Sequence, residues 1–182
     1  MKAAGGDDLK ETRISGEEVY RGTLLHVQRD LVRLPDGTQG SREYIRHPGA
    51  VAMVPLLGDG RVLLERQFRY PHGRDFIEIP AGKRDAGEAP LDTAVRELLE
   101  ETGYVAAGWT RLGVIHNAIS YSDEGIEIYL ATGLEQRKAS LDAGEFLEVF
   151  SLPLADALAM AHDGRITDVK TIIGLVWAAA RR

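Results

Sequence analysis

Residues 82 to 104 read GKRDAGEAPLDTAVRELLEETGY, and the spacing of their glycines, acids and arginine constrains this chain more than any other feature. Gly82 is followed after five residues by Glu88, and seven more residues lead to Arg96. The next seven residues contain the remaining acids and glycine of the pattern, namely Glu97, Glu100, Glu101 and Gly103. This pattern predicts a loop, a helix and a second loop that together hold divalent cations.

The middle of this segment is predicted to form an α-helix over Leu91–Thr102, with Pro90 at its first position. Gly103 suits the left-handed position that ends a helix. The apolar residues recur at three- and four-residue steps and predict one buried stripe, made of Leu91, Ala94, Val95, Leu98 and Leu99.

A second stripe of the same helix is acidic. Glu97, Glu100 and Glu101 lie roughly 130–140° round from the apolar stripe, at about 100° per residue. Three carboxylates on one face repel each other unless cations or solvent neutralise them. A solvated surface would explain these acids taken by themselves, but the glycines and the arginine at fixed offsets favour a metal site. Arg96 lies four residues before Glu100 and is predicted to orient it.

At these positions the chain resembles the Nudix hydrolase family, whose box is G-x5-E-x7-R-E-U-x-E-E-x-G-U with U a bulky aliphatic residue. Every specified position matches except the last, where Tyr104 replaces an aliphatic residue. The resemblance implies an α/β fold, a Nudix-type α/β/α sandwich with a mixed β-sheet, plus an N-terminal antiparallel β-hairpin region. It also implies hydrolysis of a nucleoside diphosphate linked to another moiety.

Composition narrows the class of protein further. The 182 residues include no cysteine, which excludes disulfides, thiolate metal sites and a cysteine nucleophile. A formal net charge of −6 argues against general nucleic-acid binding. No apolar run approaches the ~20 residues that span a bilayer. The first residues, MKAAGGDDLKETR, lack the apolar core of a signal peptide, so a cytoplasmic location without membrane attachment is expected.

The order of turn signals and apolar runs divides the chain into three parts: a flexible arm over residues 1–15, N-terminal β-strands over 16–48, and a Nudix domain over 49–182. Gly58-Asp59-Gly60 joins two apolar runs and predicts a β-hairpin there. The predicted strands are Glu18–Gly22, Leu24–Leu34, Ser41–His47, Ala50–Leu57, Arg61–Arg69, Phe76–Pro80, Thr110–His116, Glu127–Thr132 and Leu147–Leu152, and the predicted closing helices are Leu154–His162 and Asp168–Arg181.

The acidic stripe supplies oxygen ligands, which suit a hard cation such as Mg²⁺, with Mn²⁺ as the alternative. Glu97 and Glu101, with Glu100 beside them, form the predicted ligand set. The resemblance adds the backbone carbonyl of Ala81, the residue before the first glycine of the box. Arg96 and Glu100 are also expected to act in catalysis.

Segments outside the box are similar to ADP-ribose pyrophosphatases and related nucleotide-sugar hydrolases. They are the stretches Glu65–Pro71, Phe76–Gly82, Arg46–Ala50, Ser122–Glu124 and Asp163–Thr171. The resemblance implies that Arg46, Arg66 and Arg69 bind the substrate, since an arginine fork binds phosphate bidentately, with Glu78 nearby. Surface ion pairs are the alternative for these arginines. Tyr20 is a candidate to stack on a nucleobase, with core or dimer packing as the alternative.

The general base is predicted in the loop that carries Glu124, because in this subfamily the acid at that place positions or deprotonates the attacking water. Three further acids compete for the role, namely Glu127, Glu145 and Glu148. Related enzymes often carry Pro-Gly just before this loop, where this chain has Ile119-Ser120. His47 and His116 are interpreted as structural or peripheral, and Trp109 and Trp177 as core residues.

The expected function is Mg²⁺-dependent hydrolysis of ADP-ribose to AMP and ribose 5-phosphate by a homodimer. The N-terminal strands are expected to supply the dimer interface, because a lone hairpin is marginal in water. Two alternatives remain: the same chemistry on another nucleoside diphosphate sugar, and a Nudix-fold module that senses ADP-ribose without cleaving it. The intact acidic stripe argues against the sensor.

Overall fold

The computed structural model describes residues 9–138 and 146–181, and these residues form two compact units. Residues 9–47 and 118–124 make up the first unit. The second unit contains the remaining described residues, from 48 to 117 and from 125 onward. The acidic helix predicted from the box lies in the second unit.

The first unit is a three-stranded antiparallel sheet in the order β1-β2-β3. Its strands are β1 (Thr12–Arg21), β2 (His26–Arg33) and β3 (Gln39–Arg46). The predicted return strand is present, and the turn at Gly37 has a positive φ of 86°, which a glycine adopts without strain. All ten residues of β1 are exposed.

The second unit contains two sheets, ordered β10-β5-β6 and β7-β4-β9-β8. Its elements are β4 (Ala50–Pro55), β5 (Arg61–Arg69), β6 (Arg74–Glu78), β7 (Ala81–Lys83), α1 (Pro90–Thr102), β8 (Tyr104–Ile115), β9 (Ile126–Gln136), β10 (Leu147–Pro153), α2 (Leu154–His162) and α3 (Val169–Ala179). The four-stranded sheet is mixed, because β4 pairs parallel with β9 and antiparallel with β7.

Strand β4 has both faces buried, and its alternate residues enter two different cores. Val51 and Met53 pack with Leu98 of α1. Ala52 and Val54 pack in a second cluster that contains Leu175 of α3. Since successive side chains of a strand point to opposite faces, helices cover the sheet on both sides. This arrangement is the α/β/α sandwich that the sequence predicted.

The predicted hairpin between β4 and β5 is wrong. Both strands form, but they belong to different sheets and meet at one isolated bridge between Leu56 and Val62. All six residues of β4 are buried, so this strand needs neighbours on both edges and takes β7 and β9. The Gly58-Asp59-Gly60 turn therefore joins two sheets.

Most strands differ from their predicted bounds by a few residues, and the departures at β1, β7 and β8 have a clear structural reason. β1 begins at Thr12, six residues before the predicted start and inside the predicted arm, because pairing with β2 orders a polar stretch that shows no alternation. β8 begins at Tyr104, directly after the helix, because it pairs with the end of β9. The short strand β7, which pairs with β4, was not predicted.

The core predictions hold for both tryptophans. Trp109 packs edge-on against Tyr129 with ring centroids 6.3 Å apart. Trp177 of α3 lies against Gly113, where a Cβ would come within 2.7 Å of its ring. Helix α1 begins at Pro90 and ends at Gly103 with a φ of 72°, as predicted.

The buried stripe of α1 is rotated relative to the prediction. Ala94 and Leu98 are buried, but Leu91 and Val95 are exposed, while Glu101 and Thr102 are buried instead. The hydrophobic pattern could not show this rotation, because it depends on a polar contact. The Glu101 carboxylate faces β7 and accepts a hydrogen bond from the Ala81 N–H.

This rotation can be tested with two substitutions on the same helix. Leu98→Ala should lower the free energy of unfolding by about 2–5 kcal/mol, because it opens a cavity under a fully buried side chain. Val95→Ala should change it by less than about 0.5 kcal/mol, because Val95 is 44% exposed. Urea unfolding followed by circular dichroism measures both changes in the free energy of unfolding. Equal losses for the two variants would contradict the rotation and support the predicted stripe.

Candidate active site

The N-terminal half of the box brings strand β7 against helix α1. The Glu97 side chain lies directly over Gly82, and a Cβ at position 82 would overlap its carboxylate. The next contact is made by Ala81, whose backbone N–H donates to Glu101 Oε2 over 3.0 Å. Gly82 is therefore required for close approach of a side chain, and two of the predicted metal ligands lie against β7.

Arg96 joins the acids of the box. Its Nη1 donates to Glu97 Oε1 at 3.0 Å and to Glu100 Oε2 at 2.8 Å. Its Nε and Nη2 donate to the two oxygens of Glu88, each at 3.1 Å. The predicted contact with Glu100 is present, and the same guanidinium also binds two further acids of the box.

Glu88 holds the loop before the helix. Its Oε2 accepts hydrogen bonds from Thr93 Oγ1 at 2.8 Å and from the backbone N–H of Asp85 at 3.2 Å. The hydrogen bonds from Arg96, followed by the one from Thr93, lower the pKa of Glu88 from its ordinary 4.5 to about 2. These three partners stabilise the charged carboxylate, so Glu88 acts here as an anchor for Arg96.

The donor set at α1 fits a hard divalent cation, because carboxylate oxygens and a neighbouring backbone carbonyl are the ligands such ions prefer. In this conformation Glu97 and Glu100 accept from Arg96, and Glu101 accepts from Ala81. Within residues 9–138 and 146–181, no three His, Cys, Asp or Glu side chains are gathered as closely as a metal centre would need. A bound cation would therefore require some of these carboxylates to turn.

The candidate Arg69 lies in β5 and is held by Glu78 of the neighbouring strand. Arg69 donates from Nε and Nη2 to the two oxygens of Glu78, at 2.7 and 2.8 Å. Glu78 also forms an ion pair with Lys170 of α3. Lys170 was not among the predicted site residues, although it lies inside the Asp163–Thr171 stretch that the resemblance includes.

Burial opposes ionisation of Glu78, but the hydrogen bonds from Arg69 and the charge of Lys170 outweigh it, so the pKa of Glu78 lies below its ordinary value. The pKa of Arg69 is raised by its hydrogen bonds with Glu78, against the effect of burial. The charge of Glu101 raises it further, which links Arg69 electrostatically to the acidic face of α1.

Arg66 occupies a different environment from Arg69. It forms an ion pair with Glu148 of β10, and both side chains are more than half exposed. A surface ion pair is the alternative that the sequence left open, and substrate binding by Arg66 stays a prediction. The ion pair also engages Glu148, which was a competing candidate for the general base.

In the first unit, Arg46 lies at the end of β3 and stacks over the ring of Tyr44, with 5.7 Å between the guanidinium carbon and the ring centroid. Its Nη1 is 3.7 Å from Asp123 Oδ2. Tyr20 is 57% exposed on β1, so core packing within the described chain does not account for it.

The loop that carries Glu124 is attached to the end of β3. Ile45 exchanges backbone hydrogen bonds with this loop, donating to Tyr121 at 2.8 Å and accepting from Asp123 at 3.2 Å. The His47 N–H donates to Asp123 Oδ1 at 2.7 Å, and its ring Nε2 is 3.5 Å from Glu124 Oε1. His47, interpreted from the sequence as structural or peripheral, therefore lies beside the candidate base.

Two of the competing bases have other partners, and the third is outside the described residues. Glu127 accepts from Arg111 at 2.7 Å and from the Tyr129 hydroxyl at 3.2 Å. Glu148 is paired with Arg66. Glu145 lies outside the described residues.

Comparison with known families agrees with this geometry. Residues 46–172 match the model of the NUDIX domain. The chain belongs to the Nudix family. The preceding residues, 11–45, match the nucleoside diphosphate sugar hydrolase N-terminal domain. The box of a Nudix hydrolase thus consists here of the acidic helix, the contact of Glu97 with Gly82, and the Arg96 hub. The hub is the Arg96 guanidinium with its three partners Glu88, Glu97 and Glu100.

Similar proteins cover almost the whole of this Nudix chain. It is 38% identical over 165 residues to the ADP-ribose pyrophosphatase of Bacillus subtilis (strain 168), which covers 90% of this chain and 89% of that protein. It is also 38% identical over 172 residues to the methanol dehydrogenase activator of Bacillus methanolicus, covering 93% of each. A crystal structure of an ADP compounds hydrolase superposes with a TM-score of 0.84 and 26% identity, covering 94% of this chain and 93% of that chain.

The helices of the described residues include none that is both long and apolar enough to cross a membrane.

The low pKa of Glu88 gives this Nudix domain a pH-dependent contribution to stability. A depressed carboxylate pKa stabilises the fold above the unfolded value of 4.5 and loses that contribution as the pH falls toward about 2. Glu88→Gln should therefore lower the melting temperature most above pH 5, and the difference from the wild type should shrink as the pH approaches 2. Differential scanning fluorimetry from pH 2 to 7 measures this, and a pH-independent difference would contradict it.

Proposed function

We propose that this Nudix hydrolase cleaves the pyrophosphate bond of ADP-ribose, with Mg²⁺, to give AMP and ribose 5-phosphate. The observation that carries the proposal is the Arg96 hub, in which one guanidinium holds Glu88, Glu97 and Glu100. Of these acids, Glu97 lies over Gly82 of β7. Similarity over nearly the whole chain to an ADP-ribose pyrophosphatase supports the choice of substrate. A sensor that does not cleave its ligand would have no need of this acidic face.

Metal binding falls to Glu97, Glu101 and Glu100, together with the backbone carbonyl of Ala81. A bound Mg²⁺, or Mn²⁺ in its place, would neutralise the pyrophosphate and supply a water of lowered pKa. Arg96 reduces the repulsion among neighbouring carboxylates, because its charge lies within hydrogen-bonding distance of two of them. The acidic face can then persist before the cation arrives.

In this hydrolysis a water oxygen bonds to one phosphorus of the pyrophosphate, and the bond from that phosphorus to the bridging oxygen breaks. The water must lose a proton, and the other phosphate leaves with the bridging oxygen. We assign the proton to Glu124, whose loop is fixed to the end of β3. Glu127 and Glu148 each share their charge with an arginine, which makes either a poorer base. Arg46, Arg66, Arg69 and Tyr20 bind the substrate, with Glu78 beside Arg69. Arg66 would exchange its ion pair with Glu148 for the substrate.

The metal assignment is tested by Glu97→Gln and Glu101→Gln. Each change should lower kcat by orders of magnitude at saturating Mg²⁺, because a neutral amide is a poor ligand for a hard cation. Asp92→Asn, an exposed acid in the first turn of the same helix, is the matched control and should retain activity. A folded Glu101→Gln protein with near-normal kcat would refute the ligand set.

Substrate choice is tested by measuring kcat/KM for ADP-ribose, nucleotide sugars and nucleoside triphosphates under identical conditions. ADP-ribose should have the highest value. The match of residues 11–45 to an N-terminal domain of nucleoside diphosphate sugar hydrolases favours one alternative, which is another nucleoside diphosphate sugar. A preference for such a sugar would select that alternative, and a preference for a triphosphate would contradict both.

The first unit is proposed to form a homodimer interface with a second copy of the chain. β1 is an edge strand of its sheet, and all ten of its residues are exposed, including Ile14, Val19 and Tyr20. A long exposed edge with apolar side chains is a surface that proteins normally cover. A second copy is the occupant that the sequence predicted.

Light scattering tests the dimer with Val19→Lys, which places a charge on the exposed edge strand. The wild type should have the mass of a dimer at micromolar concentration, and Val19→Lys should shift it toward a monomer. Lys10→Glu, an exposed change just before β1, should not. A fully active wild-type monomer would end the dimer proposal. The cytoplasmic location stays a prediction, which cell fractionation would test.

A further inference from the structure

Four charged residues of the second unit form one connected group around a buried carboxylate, which we call the Glu78 cluster: Arg69, Glu78, Asp168 and Lys170. Glu78 lies at its centre with a side chain only 5% exposed. Arg69 donates to both Glu78 oxygens, and Lys170 forms an ion pair with the second of them. One buried carboxylate is therefore shared by two cations from different elements.

The lysine is fixed from its other side by the start of α3. Asp168 accepts from Lys170 Nζ at 3.1 Å and caps the helix by accepting from the Thr171 N–H at 3.0 Å. Thr171 Oγ1 also donates to Asp168 at 2.6 Å and accepts from the Ile79 N–H at 2.8 Å. The ammonium thus lies at a defined point between the cap of α3 and the end of β6.

Burying these charges demands an explanation beyond stability, because a buried ion pair often stabilises a fold no more than apolar residues of similar volume. Arg69 supplies one. Among the described residues, its hydrogen bonds to Glu78 use Nε and Nη2, so the two N–H groups of Nη1 remain for another acceptor. Its side chain is 44% exposed, although the Lys170 side chain is only 10% exposed.

Lys170 also sets the charge of the cluster. Two cations and two carboxylates give a formal charge of zero, and removing Lys170 would leave −1 beside a polyanionic substrate. Glu78 would also lose one of its two cationic partners and become free to pull Arg69 out of position. Both effects weaken binding of a negatively charged ligand at Arg69.

We propose that Lys170 is a positioning residue for substrate binding, which holds Glu78 and, through it, aims the Arg69 guanidinium at an anionic oxygen of the nucleoside diphosphate. This inference rests on the proposed function, and it adds a residue of α3 that does not itself contact the substrate. Because the bond made at Arg69 is a charge-assisted one, its loss should weaken binding on the order of tenfold or more.

The test is isothermal titration calorimetry of ADP-ribose in EDTA, where hydrolysis is halted, combined with steady-state kinetics in Mg²⁺. Lys170→Met keeps the length of the side chain and removes its charge, and it should raise Kd and KM by about tenfold or more while kcat changes less. Lys138→Met, at an exposed position, is the matched control and should behave as the wild type.

A double-mutant cycle with Arg69→Gln separates positioning from general damage. If Lys170 acts through Arg69, adding Lys170→Met to Arg69→Gln should weaken binding little further. Glu78→Gln provides the same test should Lys170→Met fail to fold, because the amide is a poor partner for Lys170 and should also raise Kd. Additive losses, or unchanged Kd in folded Lys170→Met or Glu78→Gln, would overturn the inference. A wild type that does not bind ADP-ribose would instead contradict the proposed function itself.

Discussion

The candidate site depends on one interaction, the binding of a single guanidinium to three carboxylates. Arg96 neutralises part of the charge on Glu97 and Glu100 and is itself held by Glu88. Without it, acids one turn apart on a helix would repel each other and the face would favour open solvent. The loop before α1 also depends on this contact, because Glu88 ties Arg96 to Asp85 and Thr93.

The position of that helix depends in turn on β4. A strand with both faces buried requires a helix on each side, and α1 packs on the face that carries Val51 and Met53. The opposite face holds α3, whose first turn carries the Lys170 contact with Glu78. One buried strand thereby fixes both the acidic helix and the Glu78 cluster within the second unit.

The sequence predicted features that depend on residues close together in the chain. Pro90 and Gly103 marked the ends of α1 correctly, and the box identified Arg96 as the partner of Glu100. It could not predict contacts between distant segments, such as Lys170 with Glu78, which are 92 residues apart. The hairpin signal of residues 58–60 was misleading for a related reason, because turn chemistry does not show which sheet a strand joins.

The central claim is that this Nudix domain hydrolyses the pyrophosphate bond of ADP-ribose with a divalent cation. Phosphorus NMR of ADP-ribose incubated with the purified protein observes the products directly. With Mg²⁺ present, the two pyrophosphate signals should disappear while AMP and ribose 5-phosphate appear in equal amounts, and excess EDTA should stop the reaction. Unchanged ADP-ribose, release of inorganic phosphate, or cleavage that continues in EDTA would contradict the account.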